Sequence, residues 1–134
     1  MKNFVLTPDM LTLGGTFYPR GYAFIMFPDE AAAKKVAAGL NHQPDSSSDV
    51  AFLSAPVILK QIGKIDGDSE IDLPSVGTEG ATVRKYVDLA RKGQSALIIK
   101  VDSDEQTEHV MKLARDAEFS YAQRYHLLAI EDLE

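Results

Sequence analysis

The sequence predicts an α+β domain built from two successive strand–helix–strand units, with additional helices at about 55–62 and 81–92. Three observations carry this. Two continuously apolar runs, Tyr22–Phe27 and Ala96–Val101, are each followed at once by an acidic capping segment and a stripe of apolar residues at helical spacing. Aligned on Tyr22 and Ala96, the two runs stay in register without a gap, placing Phe27 on Val101, Val36 on Val110 and Leu40 on Ala114. The length of 134 residues, with 45% hydrophobic and 25% charged side chains, is that of one globular domain spanning 1–134.

Each element has its own signal. The stretch to Pro19 is broken by Pro8, Gly14 and Gly15 and reads as a short strand or an irregular arm. Tyr22–Phe27 lacks polar alternation, the pattern of a strand buried on both faces. Pro28-Asp29-Glu30 opens a helix, because Asp29 can cap it and acidic residues suit the positive end of the helix dipole. Its apolar stripe is Ala32, Val36, Ala37 and Leu40. Asn41–Asp49 is a polar loop, and Val50–Leu53 a short strand. Pro56 starts a helix through Val57, Leu59 and Ile62 that Gly63 ends.

Residues 63–80 form the longest irregular connection. Ala81–Lys92 follows as a helix with Val83, Tyr86, Val87 and Ala90 on one face and Gly93 as its stop. Ala96–Val101 is a strand, Asp102–Glu105 caps a helix that buries Val110, Leu113 and Ala114, and Ser120–Ile130 closes the chain as one long strand. The pseudo-repeats are thus 22–53 and 96–130, and two strand–helix–strand units joined by a helical crossover are the logic of a ferredoxin-like sheet.

Charge narrows the function classes. The formal net charge is −6, and residues 1–67 balance six basic against six acidic side chains, so the deficit lies entirely in the second half. An acidic body repels phosphate backbones, whose neutralisation by Lys and Arg supplies most non-specific nucleic-acid affinity. No apolar run approaches the ~20 residues of a membrane span, and the N-terminus lacks a signal peptide's layout, so a cytoplasmic location without membrane contact is expected. With no cysteine, disulfides, thiolate zinc sites and cysteine nucleophiles are excluded.

Residues 20–27, Arg-Gly-Tyr-Ala-Phe-Ile-Met-Phe, match the signature octapeptide of the RNA recognition motif at every position. This resemblance implies Tyr22 and Phe24 as a base-stacking pair and Arg20 as a phosphate contact. Its context disagrees: the signature strand belongs third in that fold, and the 19 residues before Arg20, interrupted by Pro8, Gly14, Gly15 and Pro19, cannot supply two strands and a helix. Tyr, Phe and Ile are also what any buried strand uses. RNA binding through Arg20, Tyr22 and Phe24 therefore stands as an alternative, disfavoured by net charge.

A strand running into Phe27-Pro-Asp-Glu-Ala-Ala-Ala33, an alanine-rich helix and a second short strand also resembles the bacterial general-stress, heat-induced family of small ferredoxin-like modules. The similarity covers residues 22–53 best and 96–130 more loosely. It implies a stress-associated cytoplasmic protein without established chemistry and transfers no functional residue; the 63–80 insertion departs from the simple module.

Other constellations are weaker. Leu73–Thr82 runs into a helix start, where free backbone N–H groups together with Ser75, Gly77, Thr78, Gly80 and Thr82 could hold a small anion or a nucleotide phosphate. The spacing matches neither the dinucleotide fingerprint nor the P-loop, and turn glycines with a Thr78 N-cap account for it more simply. Asp66, Asp68, Glu70 and Asp72 lack the glycine and glutamate positions of a calcium loop, so no metal site is expected. His42, His109 and His126 are scattered, although Arg124 and His126 share a strand face whose charge could meet an anion. No nucleophile elbow is present; no catalytic residue, cofactor or enzymatic activity is expected.

Strand alternation assigns Ala23, Ile25, Phe27, Leu97, Ile99 and Val101 to one sheet face and Tyr22, Phe24, Met26, Ala96, Ile98 and Lys100 to the other. The second face is an apolar patch that must be covered. The expectation is a non-catalytic protein acting through self-association or a protein partner, as a homodimer or complex formed on that face; the helices at 55–62 and 81–92 are the competing cover.

Overall fold

The computed structural model describes residues 2–4, 10, 17–41, 50–62, 78–126 and 130–134. In chain order the elements are β1 (Lys2–Asn3), β2 (Tyr22–Phe27), α1 (Glu30–Asn41), β3 (Val50–Leu53), α2 (Ala55–Val57) running into a π-helical turn (Ile58–Ile62), α3 (Thr78–Arg91), β4 (Ser95–Lys100), α4 (Asp104–Asp116), β5 (Tyr121–Tyr125) and β6 (Ile130–Asp132). The class is α+β. The six described strands join one sheet in the order β1-β3-β4-β2-β5-β6. Its four inner strands, β3-β4-β2-β5, are antiparallel throughout, while β1 lies parallel to β3 at one edge and β6 antiparallel to β5 at the other. The connections β2–α1–β3 and β4–α4–β5 each step over one strand of the other pair.

Alternation sorts the sheet residues as the sequence indicates. Ala23, Ile25, Phe27, Leu97, Ile99 and Val101 pack under α1 and α4, against Ala33, Val36, Ala37, Leu40, Val110, Met111 and Ala114. Phe24, Met26, Ala96 and Ile98 pack on the opposite face against Ile58 and Ile62 of the π turn and Val83, Tyr86, Leu89 and Ala90 of α3. The central strands are therefore buried on both sides, which is why they carry no polar alternation. A homodimer or partner interface on this second sheet face is overturned: α3 already fills it, leaving Phe24 and Met26 with no exposed surface.

Local chemistry sets the helix ends. Asp29 Oδ1 accepts a 2.8 Å bond from the Ala32 N–H, capping α1. The buried stripe of α1 is Ala33, Val36, Ala37 and Leu40, with Ala32 at its margin. Gly39 is where α1 meets α4: a Cβ there would stand 3.2 Å from Leu113 Cδ2. At the end of α3, Gly93 takes φ +89°, and the Gly93 and Gln94 amides return to the Ala90 and Leu89 carbonyls.

Three elements differ from expectation. The 55–62 helix is α-helical only over Ala55–Val57 and then widens into the π turn, which brings Ile58 and Ile62 together into the core. The helix expected from Ala81 starts at Thr78, so Thr78 is its first residue rather than a cap outside it. The long terminal strand 120–130 is instead a hairpin: β5 ends at Tyr125, and Ile130 pairs back onto it. The return gives the outer edge of β5 a hydrogen-bonding partner, which a single straight strand would leave open. Of the loops expected at 41–49 and 63–80, Asn41 belongs to α1 and residues 78–80 to α3, while 42–49 and 63–77, Gly63 included, lie outside the described residues.

Candidate functional site

Among the described residues, a concave site lies between α4 and the β5–β6 hairpin. Ser103 caps α4 with an extended backbone (φ −151°, ψ 163°), its Oγ accepting from the Gln106 N–H at 3.1 Å. Gln106 Oε1 reaches back to accept from the Asp102 N–H at 2.6 Å, completing a reciprocal cap. This anchors the first turn of α4 beside β5, whose Arg124 stands opposite Glu131 of β6. The Arg124 side chain is only 12% exposed, and its Nη1 donates to Oδ1 of the almost fully exposed Asp104 at 2.6 Å.

The result is a cleft of about 300 Å³ lined by Asp104, Thr107, Glu108, Met111, Arg124, Glu131, Asp132, Leu133 and Glu134. Arg115 braces its rim, pairing with Glu108 on its own helix and donating at 2.7 Å to the Glu134 carbonyl. His126, just past the end of β5, meets Glu131 Oε1 of β6 through its Nε2 at 2.7 Å. Beneath the hairpin, the buried Gln123 amide donates to the Tyr121 hydroxyl and to Asp132. With the Asp132 carboxylate turned to Gln123 on the other face of the sheet, Asp104, Glu108, Glu131 and Glu134 remain against Arg124 in the lining and Arg115 at the rim, an excess of negative charge that favours cations over anions. Met111 and Leu133 add apolar floor. Among the described residues, no group of three or more His, Asp or Glu side chains is placed to hold a metal ion.

A strong electrostatic perturbation lies elsewhere, in the core. Burial drives the Tyr86 hydroxyl well above the usual phenol range, and the neighbouring Tyr125 raises it further. The two hydroxyls share a 2.7 Å hydrogen bond. The Tyr86 ring stacks on Phe24 at 4.0 Å and 25°. This enclosed pair packs the sheet face and has no opening for a substrate.

The residues singled out in the sequence are dispersed. Arg20 is exposed in the turn before β2, Tyr22 is half-buried, and Phe24 is fully buried. Phe24 therefore cannot stack a base in this conformation; Tyr86 occupies its ring face. Of the anion-loop residues, Ser75 and Gly77 lie outside the described residues, Thr78 and Gly80 fall in the first turn of α3, and Thr82 is buried on that helix. The acidic run 66–72 and His42 are also outside. His109 sits half-buried on α4, its Nε2 without a hydrogen-bond partner. Arg124 and His126 face carboxylates rather than an open anion site.

The acidic cleft was missed because its residues come from two stretches, 104–111 and 124–134, that become neighbours only through the hairpin. The signal that pointed to it was the concentration of acidic residues in the second half of the chain. No described helix is long and apolar enough to cross a membrane. Comparison with family models, with characterised proteins and with solved structures found no match.

Proposed function

We propose that the chain is a non-catalytic, ferredoxin-like interaction module whose α4/β6 cleft receives a cationic protein surface. The ferredoxin-like reading is supported by the antiparallel inner strands and by a constant spacing of 74 residues between matching buried positions: Ala33 and Thr107, Val36 and Val110, Ala37 and Met111, Leu40 and Ala114. In this reading β1, β6, α2 and α3 are additions to a doubled unit. The resemblance of residues 22–53 supplies a cytoplasmic, stress-associated setting.

The observation that carries the proposal is the excess of carboxylates around the open cleft. Acidic rims of this kind steer basic partners and act more on association rate and specificity than on raw affinity. The test is fluorescence polarisation with a labelled oligolysine peptide, an oligoglutamate peptide and single-stranded RNA at low and physiological salt. Oligolysine binding that weakens with salt and is lost in Glu108→Lys/Glu131→Lys supports the reading. RNA binding abolished by Tyr22→Ala would replace it with the RNA alternative, and no binding to oligolysine would end it.

A further inference from the structure

The carboxylate-rich cleft has a chemical counterpart on the same molecule. On α3 and the turn after it, Arg84, Lys85, Arg91 and Lys92 are all exposed and form two adjacent pairs seven residues, or two helical turns, apart on a single helix stripe. Asp88 is the one acidic side chain on that stripe, and it lies 3.8 Å from Arg91. The π turn packed against α3 adds exposed Lys60 and Leu59; at 36%, Leu59 is the one exposed large apolar side chain among the described residues.

The opposite surface is as one-sided. Residues 102–134 hold nine acidic and three basic side chains, which is the whole net charge of the chain, while residues 1–101 balance at eleven of each. α3 covers the Phe24/Ile98 side of the sheet, and α4 covers the Ile25/Ile99 side. With the sheet between them, the two surfaces of one copy cannot meet each other, but either can meet the other on a second copy.

We infer that the occupant of the cleft is the α3 face of another copy of this chain, so that molecules associate head to tail. The inference rests on the cleft being a docking site and names its partner. Arg84 and Arg91 supply the guanidinium forks for Glu108 and Glu131, and Leu59 supplies an apolar contact for half-buried Leu133. Such a contact is heterologous: each copy keeps one free cleft and one free α3 face, so growth is open-ended unless the geometry closes a ring. At ~0.1 M salt the Debye length is ~10 Å, so the overall repulsion between two like-charged copies is screened more than ion pairs in direct contact. Exposed pairs are individually weak, so association belongs at high micromolar concentration and above.

Sedimentation velocity across roughly 10 µM to 1 mM protein, at ~0.1 M and ~1 M NaCl, reads this directly. The expected result is a mass that climbs past the dimer with concentration, and an association constant that falls by about fivefold or more at high salt. Arg84→Glu/Arg91→Glu and Glu108→Lys/Glu131→Lys should each be monomeric. Mixed, they should associate again, through the untouched cleft of the first with the untouched α3 face of the second and through the two reversed surfaces, which complement each other in sign. Circular dichroism melting confirms that both are folded; if a charge reversal is not, Arg84→Gln/Arg91→Gln or Glu108→Gln/Glu131→Gln replaces it. A parent chain that stays monomeric at every concentration, association indifferent to both variants, or a mixture that fails to pair overturns the inference. Oligolysine binding in a chain that remains monomeric would sink self-docking alone, whereas loss of both would sink the docking site as well.

Discussion

Replacing Phe24 by Ala tests whether the aromatic face of β2 is core or surface. The ring has no exposed surface, stacks on Tyr86 at 4.0 Å and meets Phe17 edge-on at 5.8 Å. Truncating a buried Phe costs ~3–5 kcal/mol through lost transfer energy and the cavity left behind, and the broken aromatic pairs belong within that figure rather than on top of it. With an unfolding entropy of ~2.1 cal/mol/K per residue, a loss of ~4 kcal/mol lowers Tm by about 14 °C for a chain of this length. Tyr22→Ala, at a half-buried position on the same face, should cost less than half as much. Urea titration followed by circular dichroism gives both values. If Phe24→Ala stays within ~1 kcal/mol of the parent, the ring is not packed, α3 does not seal the sheet, and the base-stacking role of the octapeptide returns.

Alkaline stability reports on the hydroxyl pair. An unfolded tyrosine ionises near ~10, whereas Tyr86 in the fold is held neutral to higher pH by burial and by Tyr125. Its contribution is therefore complete below ~pH 10 and is lost as pH rises toward the folded value, at up to ~1.4 kcal/mol per pH unit. In urea midpoints from pH 8 to 11, Tyr86→Phe should flatten that slope while costing ~1 kcal/mol at neutral pH for the lost hydrogen bond. Ser103→Ala, which removes the α4 cap, should cost ~1 kcal/mol in the same titration. Gly93→Ala meets no atom within 4 Å, so its loss of ~1 kcal/mol should come from the positive φ alone, and Gly93→Asn should recover part of it.

Much of the scaffold was legible because its signals are local. Asp29 and Ser103 stand where caps belong, and the apolar runs at 22–27 and 96–101 carry the uninterrupted pattern of strands buried twice. Alternation also separated the residues under α1 and α4 from those under α3. What covers the second face was not legible, because the Val83/Tyr86/Ala90 stripe states that α3 buries something without naming it. The hairpin was hidden by His126-Leu-Leu-Ala129, which contains no Gly, Pro, Asn or Asp to mark a turn. Nor does any residue between Pro56 and Ile62 announce a π turn. The octapeptide misled for a physical reason: a strand that offers its aromatics to nucleobases and one that offers them to a tyrosine ring use the same residue types.

The strand order also sets a schedule for synthesis. β2 lies between β4 and β5, so neither neighbour exists until the ribosome has passed residue 95, and the second not until Tyr125. Until then the nascent chain carries Tyr-Ala-Phe-Ile-Met-Phe with no charge to discourage pairing with another chain, and a fragment ending before β4 holds α1 and α3 for its faces but no strand to occupy either of its edges. Slowed translation between Phe27 and Ser95 should therefore raise insoluble product, whereas slowing it after Tyr125 should not.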